Sequence, residues 1–284
     1  MPELPEVEIT ARLLDRALDG ARIEYARAPG INALKTFEPP LASLEGEPVA
    51  AVARRGKHLI VRAGAELALL IHLMSAGRLQ LYDKPAGPRD RSSRLLLGLD
   101  DGRELRLREF GSKQAAWVKL LRAHALAEDH ALASLGAEAW PDPGSAQQLR
   151  ELLDAPRPLH SLLRDQHVIA GIGRSWVDEI LWRARLSPYK RGADLEAGEA
   201  ERLREAIVHT LGGAVKHYRR TVALPIPDKL PMPLLVHRHQ DEPCPRCGAT
   251  LQAVHFEDYV IAYCPACQTE GRVLKDRRLS RLLR

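Results

Sequence analysis

The 284-residue sequence contains no uninterrupted apolar run of about 18 residues, the length that a membrane-spanning helix requires. It also lacks a charged and then apolar leader ending in a small-residue cleavage site. Cysteine is scarce, because the chain has only four, all between positions 244 and 267. This placement argues against a disulfide framework spread along the chain. We therefore expect a cytoplasmic protein with two domains or one large one.

The sequence is mildly basic, and its basic residues are unevenly distributed. There are 42 Lys and Arg against 37 Asp and Glu, which gives a formal net charge of +5 and a pI of about 9.1. The last 13 positions carry six of the basic residues: Arg272, Lys275, Arg277, Arg278, Arg281 and Arg284. This cluster predicts contact with a polyanion, and a solvated basic tail is the alternative.

The four cysteines form two CxxC motifs separated by sixteen residues, with Cys244 and Cys247 in one and Cys264 and Cys267 in the other. Thiolates at this spacing can bind one tetrahedral zinc ion. Because all four ligands are cysteine, no coordination position stays open, and we expect the zinc to be structural. The residues between the motifs alternate like a β-hairpin. Redox-active cysteines or disulfides are the alternative.

The N-terminus offers a nucleophile. The chain opens Met1-Pro2-Glu3, and a methionine that precedes proline is usually removed during synthesis, which would leave Pro2 as a free secondary amine. An α-amino group titrates near pH ~7.7–8.0, so part of it is nucleophilic in the cell. Such an amine attacks an aldehyde carbon and forms an iminium, and Glu3 could move protons for that step. Alternatively, Pro2 and Pro5 only start a helix.

The first 122 residues predict one helix and then an antiparallel β-sandwich. Apolar residues at helical spacing predict the helix over residues 5–19. Eight short apolar or alternating runs follow, with turns rich in glycine and proline between them, which favours a sandwich. The runs are Arg22–Ala28, Val49–Arg54, His58–Arg62, Leu67–Leu73, Arg78–Tyr82, Leu95–Leu99, Glu104–Arg108 and Ala116–Leu121.

The periodicity becomes helical from about residue 123, which makes the predicted fold class α+β. A tight turn with Gly171 and Gly173 separates two of the helices, and exposed amides at these glycines could clamp a phosphate. The alternative is an ordinary helical hairpin. The predicted helices cover residues 146–153, 159–166, 175–186 and 194–218.

Four prolines between positions 225 and 233 indicate a loop that separates the helical region from the cysteine motifs. The chain then divides into five predicted segments. They are the helix and sandwich at 1–122, a linker at 123–140, the helical region at 141–222, the Pro-rich loop at 223–236, and a zinc finger with a basic C-terminus at 237–284.

Taken in order, these motifs resemble the formamidopyrimidine-DNA glycosylase/endonuclease VIII superfamily. Met1–Glu8 is similar to the family's N-terminus, and Arg55–Leu59 to its lysine-bearing strand start. Ile71–Leu73 resembles the strand before its void-filling loop, and Arg108–Gly111 its Arg-x-Phe-Gly loop. Leu163–Glu179 resembles its helix–two-turn–helix, and the cysteines its zinc finger. The resemblance covers essentially the whole chain.

The resemblance implies a bifunctional enzyme of base excision repair, which flips a damaged nucleotide out of duplex DNA. Pro2 would attack C1′ of the sugar and expel the base, and elimination would then break the strand on both sides. Glu3 would protonate the sugar ring oxygen, and Lys57 would bind the phosphate beside the lesion. Glu6 and Glu179 would support the amine. The family also implies a monomer with one structural zinc ion, no organic cofactor and a place beside the bacterial chromosome.

The resemblance also implies eight residues on the DNA, and several depart from the family's pattern. They are Met74, Ser75, Arg108, Phe110, Gly171, Gly173, Arg174 and Tyr259. The family usually has asparagine where this chain has Arg174, and a finger arginine where it has Tyr259. Its void-filling loop reads His-Leu-Gly-Met-Ser-Gly, whereas Met74 stands one position earlier. Either Met74 or Ser75 would then fill the space of the flipped base.

A further departure is Glu109, which stands between Arg108 and Phe110 where arginine is common and would add negative charge near the DNA. The opening Pro-Glu-Leu-Pro-Glu favours the formamidopyrimidine type, with oxidised purines such as 8-oxoguanine and formamidopyrimidines as substrates. One alternative is an oxidised-pyrimidine or abasic-site specialist. Another is a DNA-damage binding protein that has lost base excision, although retention of Pro2 and Glu3 argues against it.

Overall fold

The structure, a computed structural model, describes residues 2–30, 32–87, 90–110, 114–256 and 259–274. These residues form two compact units. The first holds the described residues up to 134 together with 215–231, and the second holds 135–214 and the described residues from 232 onwards. The predicted α+β class is confirmed. Within the described ranges, no helix combines the length and the apolar character needed to cross a membrane.

The first unit opens with helix α1, Leu4–Ala17, which confirms the predicted helix with an end two residues earlier. Pro5 suits the first turn because proline has no N–H to satisfy there. Glu6 and Glu3 form a reciprocal capping box, in which the Glu6 carboxylate accepts the backbone N–H of Glu3 at 2.9 Å. Gly20 then reverses the chain with a φ of +76°.

Eight antiparallel strands follow, as the alternating runs predict. Their bounds are β1 Ile23–Arg27, β2 Val49–Arg55, β3 His58–Ala63, β4 Leu67–His72, β5 Gly77–Tyr82, β6 Ser93–Leu99, β7 Glu104–Glu109 and β8 Trp117–Arg122. One sheet has the order β2-β3-β4-β8 and the other the order β1-β6-β7-β5. Leucine, valine and isoleucine side chains from both sheets and from α1 form one buried core.

Polar contacts fix α1 on strand β2. The Asp15 carboxylate accepts the backbone N–H of Val52 at 2.7 Å. Nearer the start of the helix, the buried Glu8 pairs with Arg54 at 2.7 Å and with Arg12 on its own helix. Charged hydrogen bonds of this kind are stronger than neutral ones, so the N-terminal turn has a defined position on the sheet.

The segment predicted as a linker contains short elements of its own. A 3₁₀ helix spans Ala123–Glu128, helix α2 spans His130–Ala133 and strand β9 spans Ala137–Glu138. Strand β9 pairs in parallel with β10, Ile169–Ala170. The chain therefore passes from one unit to the next through hydrogen-bonded structure.

Ahead of the cysteine motifs, the described residues of the second unit form three helices and part of a fourth. They are α3 Ala146–Leu152, α4 Leu159–Leu162, α5 Arg174–Ala184 and α6 Ala197–Thr221, whose residues from 215 onwards belong to the first unit. The prediction of a helix as far as Gln166 is wrong. The chain turns at Asp165, whose carbonyl accepts the N–H groups of Val168 and Ile169, and the Gln166 side chain is used inside the turn.

The predicted hairpin between the cysteine motifs is confirmed. Strand β11, Gln252–His255, pairs antiparallel with β12, Val260–Tyr263, and the short helix α7, Pro265–Gln268, follows. The hairpin packs within the second unit, because the Asp178 carboxylate of α5 accepts the N–H of Ala262 at 2.9 Å.

Two histidines, His58 buried and His72 half-buried, face each other across strands β3 and β4. His58 and His72 are register partners with ring centroids 4.6 Å apart, and both rings lie 5.6 Å from Trp117. Burial lowers the pKa of His58 to about 4 and the pKa of His72 to about 3. Both rings are therefore neutral in the folded protein near pH 7.

This pair predicts a loss of stability in mild acid. Below pH ~6.5 the two histidines bind protons in the unfolded chain but stay neutral in the folded protein. The free energy of unfolding should therefore fall by about 1.4 kcal/mol per pH unit for each histidine. The fall should end once the pH reaches the pKa of each histidine in the folded protein, about 4 for His58 and about 3 for His72. Urea unfolding between pH 7 and pH 4 measures it. His58→Gln should flatten the profile, and exposed His124→Gln should not; equal profiles for both variants would contradict the assignment.

Candidate active site and metal centre

The two groups that the sequence proposes for covalent chemistry are adjacent at the start of α1. Pro2 is half-buried and precedes Glu3, the N-cap residue, which is 1% exposed. A carboxylate at this point is favoured by the positive end of the helix dipole. The local geometry therefore holds an acidic side chain directly beside the proline that would be the nucleophile.

Glu6 connects this N-terminal turn to helix α6. One carboxylate oxygen accepts the N–H of Glu3 at 2.9 Å, and the other accepts the O–H of Tyr218 at 2.8 Å. Tyr218 is fully buried, and burial together with the Glu6 carboxylate raises its pKa, so the phenol remains a donor. Sequence reasoning found Glu6 but missed Tyr218, because the contact joins residues 212 positions apart.

Lys57 occupies the two-residue turn between β2 and β3. Gly56 enables this turn with a φ of +55°, and Arg55 and His58 form the last strand pair before it. Lys57 is only 7% exposed, so it is not an ordinary surface lysine. Its charge is close enough to contribute to the lowered pKa of His72, after burial and His58.

The predicted void-filling loop is a tight turn between β4 and β5. Met74 adopts a left-handed backbone with φ +49°, and its N–H donates to Nδ1 of His72 at 3.1 Å. The turn closes where Gly77 N–H donates to the Leu73 carbonyl at 2.8 Å, an approach that a Cβ at Gly77 would block. Ser75 at the tip is exposed. Neutral His72 therefore acts as the acceptor that fixes the Met74 backbone.

Arg108 and Phe110 lie together at the end of β7. The Arg108 guanidinium stacks 4.7 Å from the Phe110 ring centroid and donates to Ser92 Oγ at 2.8 Å and Tyr82 Oη at 3.1 Å. Phe110 is 39% exposed. Gly111, the last residue of the motif, is outside the described residues.

The Glu109 carboxylate is buried, and the expectation that it adds negative charge near DNA stays a prediction. Side chains alternate along a strand, so Glu109 points away from its two neighbours and is 2% exposed. Its carboxylate accepts the N–H groups of Ala115 and Ala116 at 2.9 and 3.1 Å and lies 3.6 Å from Arg94 Nε. The residue holds the segment that leads into β8.

In the second unit, the glycine turn is closed by a hydrogen bond to one of its own side chains. Gly171 is buried with φ +108°, and its N–H donates to the side-chain oxygen of Gln166 at 2.9 Å. The prediction of an exposed amide at Gly171 is therefore wrong. Gly173 is the extended N-cap of α5, and Arg174 is the first helical residue.

Two adjacent carboxylates on α5 bind neighbouring backbone. Glu179 accepts the N–H groups of residues 235, 236 and 237 at 3.1, 2.8 and 2.9 Å. Burial raises the pKa of Glu179, and these amides oppose the rise. Asp178 contacts His237 Nδ1 at 2.7 Å. A part of Glu179 in supporting the N-terminal amine stays a prediction.

Tyr259, which stands where the family has a finger arginine, packs among aromatic and basic side chains. It stacks on Phe256 and lies against His160, Arg164 and Arg174. The predicted DNA contact of Arg174 and the unexpected Tyr259 therefore belong to one cluster of side chains, which no local sequence pattern indicates.

The four cysteines converge on one point. Their Sγ atoms all lie within 4.8 Å of one another, with Cys247 3.5 Å from Cys264 and Cys244 4.0 Å from Cys267. Four sulfurs around one zinc ion at about 2.3 Å would be roughly 3.8 Å apart. All four are free thiols, so the disulfide alternative is wrong. The donor set fits one tetrahedral metal ion.

The finger is attached to α5 through Trp182. Its indole N–H donates to Sγ of Cys244 at 3.3 Å, and the guanidinium of Arg246 stacks 4.1 Å from its ring centroid. Such an outer hydrogen bond orients a ligating sulfur. Trp182 is a supporting residue that sequence reasoning did not single out.

Of the predicted basic tail, the structure describes one residue. Arg272 is exposed and pairs with Glu270 at 2.8 Å. The remaining residues of the tail lie outside the described residues: Lys275, Arg277, Arg278, Arg281 and Arg284. Their contact with a polyanion stays a prediction.

Two family models match this chain. Residues 1–112 match the formamidopyrimidine-DNA glycosylase N-terminal domain, and residues 135–225 match the H2TH domain of the same enzymes. These matches define a class, the DNA glycosylases with a helix–two-turn–helix. The chain belongs to the formamidopyrimidine-DNA glycosylase family, so the predicted family and the predicted activity class are confirmed.

Relatives and solved structures agree with these matches. The chain is 34% identical to the formamidopyrimidine-DNA glycosylase of Chloroflexus aurantiacus, over 94% of this chain and 98% of that protein. The Lactococcus lactis enzyme with DNA containing N7-benzyl-Fapy-dG is similar at a TM-score of 0.84 and 26% identity, covering 94% of this chain and 100% of that one. Its complex with DNA containing an oxidised pyrimidine has a TM-score of 0.83, with the same identity and coverage.

The bridge through Glu6 leads to a stability prediction. Tyr218→Phe removes a donor to the Glu6 carboxylate in a buried setting, so it should lower the free energy of unfolding by about 1–3 kcal/mol. Urea unfolding at pH 7 measures the change. Tyr259→Phe is the matched control, since the described residues record no hydrogen bond from that hydroxyl. A loss of equal size in both variants would show that the bridge contributes nothing.

Proposed function

We propose that this protein is a bifunctional DNA glycosylase and AP lyase that removes oxidised bases from duplex DNA. The observation that carries the proposal is the arrangement at the start of α1. Pro2 stands beside the buried Glu3, and Glu6, Tyr218 and Glu8 hold the helix turn that carries both. A protein that only bound DNA would have no use for this fixed pair of a secondary amine and an acid.

In the proposed reaction, the Pro2 nitrogen forms a bond to C1′ of the flipped nucleotide while the bond from C1′ to the base breaks. The base leaves with the bonding electron pair, and the proton that the amine releases neutralises it. Glu3 donates a proton to the sugar ring oxygen, the C1′–O4′ bond opens, and the nitrogen lone pair forms the iminium. Loss of a C2′ proton then allows elimination of the 3′ phosphate, and a second elimination releases the 5′ phosphate. Hydrolysis of the iminium regenerates the proline. Lys57 would hold the phosphate beside the reacting sugar.

The substrates proposed first are oxidised purines, such as 8-oxoguanine and formamidopyrimidines. Support comes from the Pro-Glu-Leu-Pro-Glu opening and from the Chloroflexus relative, which is named a formamidopyrimidine-DNA glycosylase. A preference for oxidised pyrimidines or abasic sites is the second candidate. It is supported by a similar Lactococcus enzyme, which has been crystallised with DNA that contains an oxidised pyrimidine.

The partner proposed for both units is damaged double-stranded DNA, bound by a monomer in the bacterial cytoplasm. The first unit would carry out the chemistry. The second unit would hold the phosphate backbone of the DNA through the glycine turn, Arg174 and the finger. Zinc is proposed as the ion of the four cysteines, with a structural role only, since Cys244, Cys247, Cys264 and Cys267 would complete its tetrahedral coordination.

Borohydride trapping tests the nucleophile. The protein, with removal of Met1 verified by mass, should form a covalent adduct with duplexes that contain 8-oxoguanine or an abasic site, because reduction fixes the iminium. Pro2→Gly should lower adduct formation on both duplexes. Glu3→Gln should reduce excision of 8-oxoguanine by about 10²–10⁴-fold and still allow trapping on the abasic duplex.

The peptide map of the adduct decides the assignment. An adduct on a lysine, or unchanged strand cleavage by Pro2→Gly, would show that Pro2 is not the nucleophile. An adduct on the abasic duplex alone would select the abasic-site specialist. No adduct on any duplex would select the DNA-damage binding protein.

Metal analysis tests the finger. The purified protein should contain about one zinc ion per chain, and Cys264→Ser should lose the ion together with affinity for duplex DNA, since metal binding and finger folding are coupled. Thr269→Ser, close to the fourth cysteine, keeps its hydroxyl and serves as the control. Intact protein without zinc would remove this part of the proposal.

A further inference from the structure

Two hydroxyl groups of the first unit hold the guanidinium of Arg108 in place. Its Nε donates to Ser92 Oγ at 2.8 Å, and its Nη1 donates to Tyr82 Oη at 3.1 Å. The side chain is half-buried, and the hydrogen bond to Tyr82 raises its pKa, so the guanidinium stays charged. Hydrogen bonds of a charged donor are stronger than those of a neutral one. Arg108 would therefore lose two strong bonds if it moved out towards a ligand.

Each of the two hydroxyls is oriented by an acceptor of its own. Ser92 O–H donates to Asp90 Oδ1 at 2.6 Å. Burial would raise the pKa of Asp90, but hydrogen bonds from two serine residues lower it to about 2, so this acceptor is charged near pH 7. Tyr82 O–H donates to the side-chain oxygen of Gln80, whose amide donates to a backbone carbonyl at 2.6 Å. Because both hydroxyl protons are used in this way, both oxygens present lone pairs to Arg108.

Phe110 lies on the guanidinium that these bonds fix. Side chains two residues apart in an extended chain point to the same face, which places Phe110, just after strand β7, beside Arg108. The guanidinium carbon lies 4.7 Å from the centroid of the ring, a distance typical of a cation–π contact. The ring still has 39% of its surface exposed. It is therefore supported from within the chain and open to a ligand.

We propose that Arg108 is a positioning residue, which supports the Phe110 ring and acts on duplex DNA only through that ring. The inference rests on the proposed function, because it takes duplex DNA with a damaged base as the ligand. It departs from the family resemblance, which implies that both residues contact the DNA. An apolar ring is suited to enter between bases, and the hydrogen bonds that fix Arg108 would set the direction from which the ring enters.

Single-turnover excision of 8-oxoguanine from a duplex tests the inference. Ser92→Ala combined with Tyr82→Phe removes both acceptors and leaves Arg108 and Phe110 in place. This variant should excise the base roughly tenfold more slowly, comparable to the loss of one cation–π contact. Ser92→Thr keeps the hydroxyl and should restore most of the rate when it replaces Ser92→Ala. Excision by the variant without both hydroxyls at the parental rate or faster would overturn the inference, since a released Arg108 would then serve the DNA directly.

The fluorescence of 2-aminopurine, placed opposite a stable abasic-site analogue, reports on the ring itself. When the duplex is saturated with protein, stacking of Phe110 on this base should change its emission, and Phe110→Ala should abolish the change. Arg108→Met keeps a long side chain without donors and should abolish most of the change, while anisotropy shows that the duplex remains bound. A full parental change from Arg108→Met would contradict the inference. So would a parent whose signal equals that of Phe110→Ala.

A double-mutant cycle separates support of the ring from a direct contact with DNA. In a Phe110→Ala background, Arg108→Met should change the excision rate by less than about twofold, because the ring that it supports is absent. An equal loss in both backgrounds would assign Arg108 its own contact with the DNA and reject the inference. The matched control is Arg27→Met, since exposed Arg27 stacks 4.9 Å from the ring of Tyr25, two residues earlier on β1 of the same sheet. It should excise as the parent does.

Arg108→Met also keeps the test decisive if the variant without both hydroxyls does not fold. A parent that neither excises 8-oxoguanine nor forms a trapped adduct would overturn the proposed function and this inference with it. A parent that forms the adduct, together with an Arg108→Met variant that matches it in excision and in fluorescence, would overturn the inference alone.

Discussion

The hydrogen bonds of the Glu6 carboxylate are the contact on which the proposed chemistry depends. This group accepts the N–H of Glu3 and the O–H of Tyr218, so it links the first turn of α1 to a helix more than two hundred residues later. A nucleophilic amine at a chain end has no scaffold of its own, because terminal residues are poorly ordered unless something holds them. Together with the ion pair between Glu8 and Arg54, the bridge gives Pro2 a defined position.

Buried carboxylates are used repeatedly to organise backbone in this protein. Glu109 binds the amides that lead into β8, and Glu179 binds three successive amides at 235–237. Each replaces water with N–H donors, which is how a charged side chain becomes tolerable in a protein interior. The charge of Glu109 and Glu179 is therefore directed at backbone amides inside the protein.

The departures from the family pattern have different physical consequences. Met74 itself adopts the left-handed backbone, and neutral His72 accepts its N–H, so the turn is well formed with methionine at this position. Arg174 and Tyr259 are far apart in sequence but share one cation–π contact. The effect of a substitution at one of these two positions therefore depends on the residue at the other. Comparing the motif one position at a time does not reveal this dependence.

The sequence by itself determined the secondary structure of the sandwich, the four-thiol centre and the family, because periodicity, turn residues and CxxC spacing are local properties. Only the tertiary structure decided the partner of Glu6, the burial of Lys57, the inward direction of Glu109 and the engagement of Gly171 by Gln166. Local sequence patterns do not predict these four features. Each depends on which distant side chain, or which face of a strand, completes a hydrogen bond or closes a core once the chain has folded.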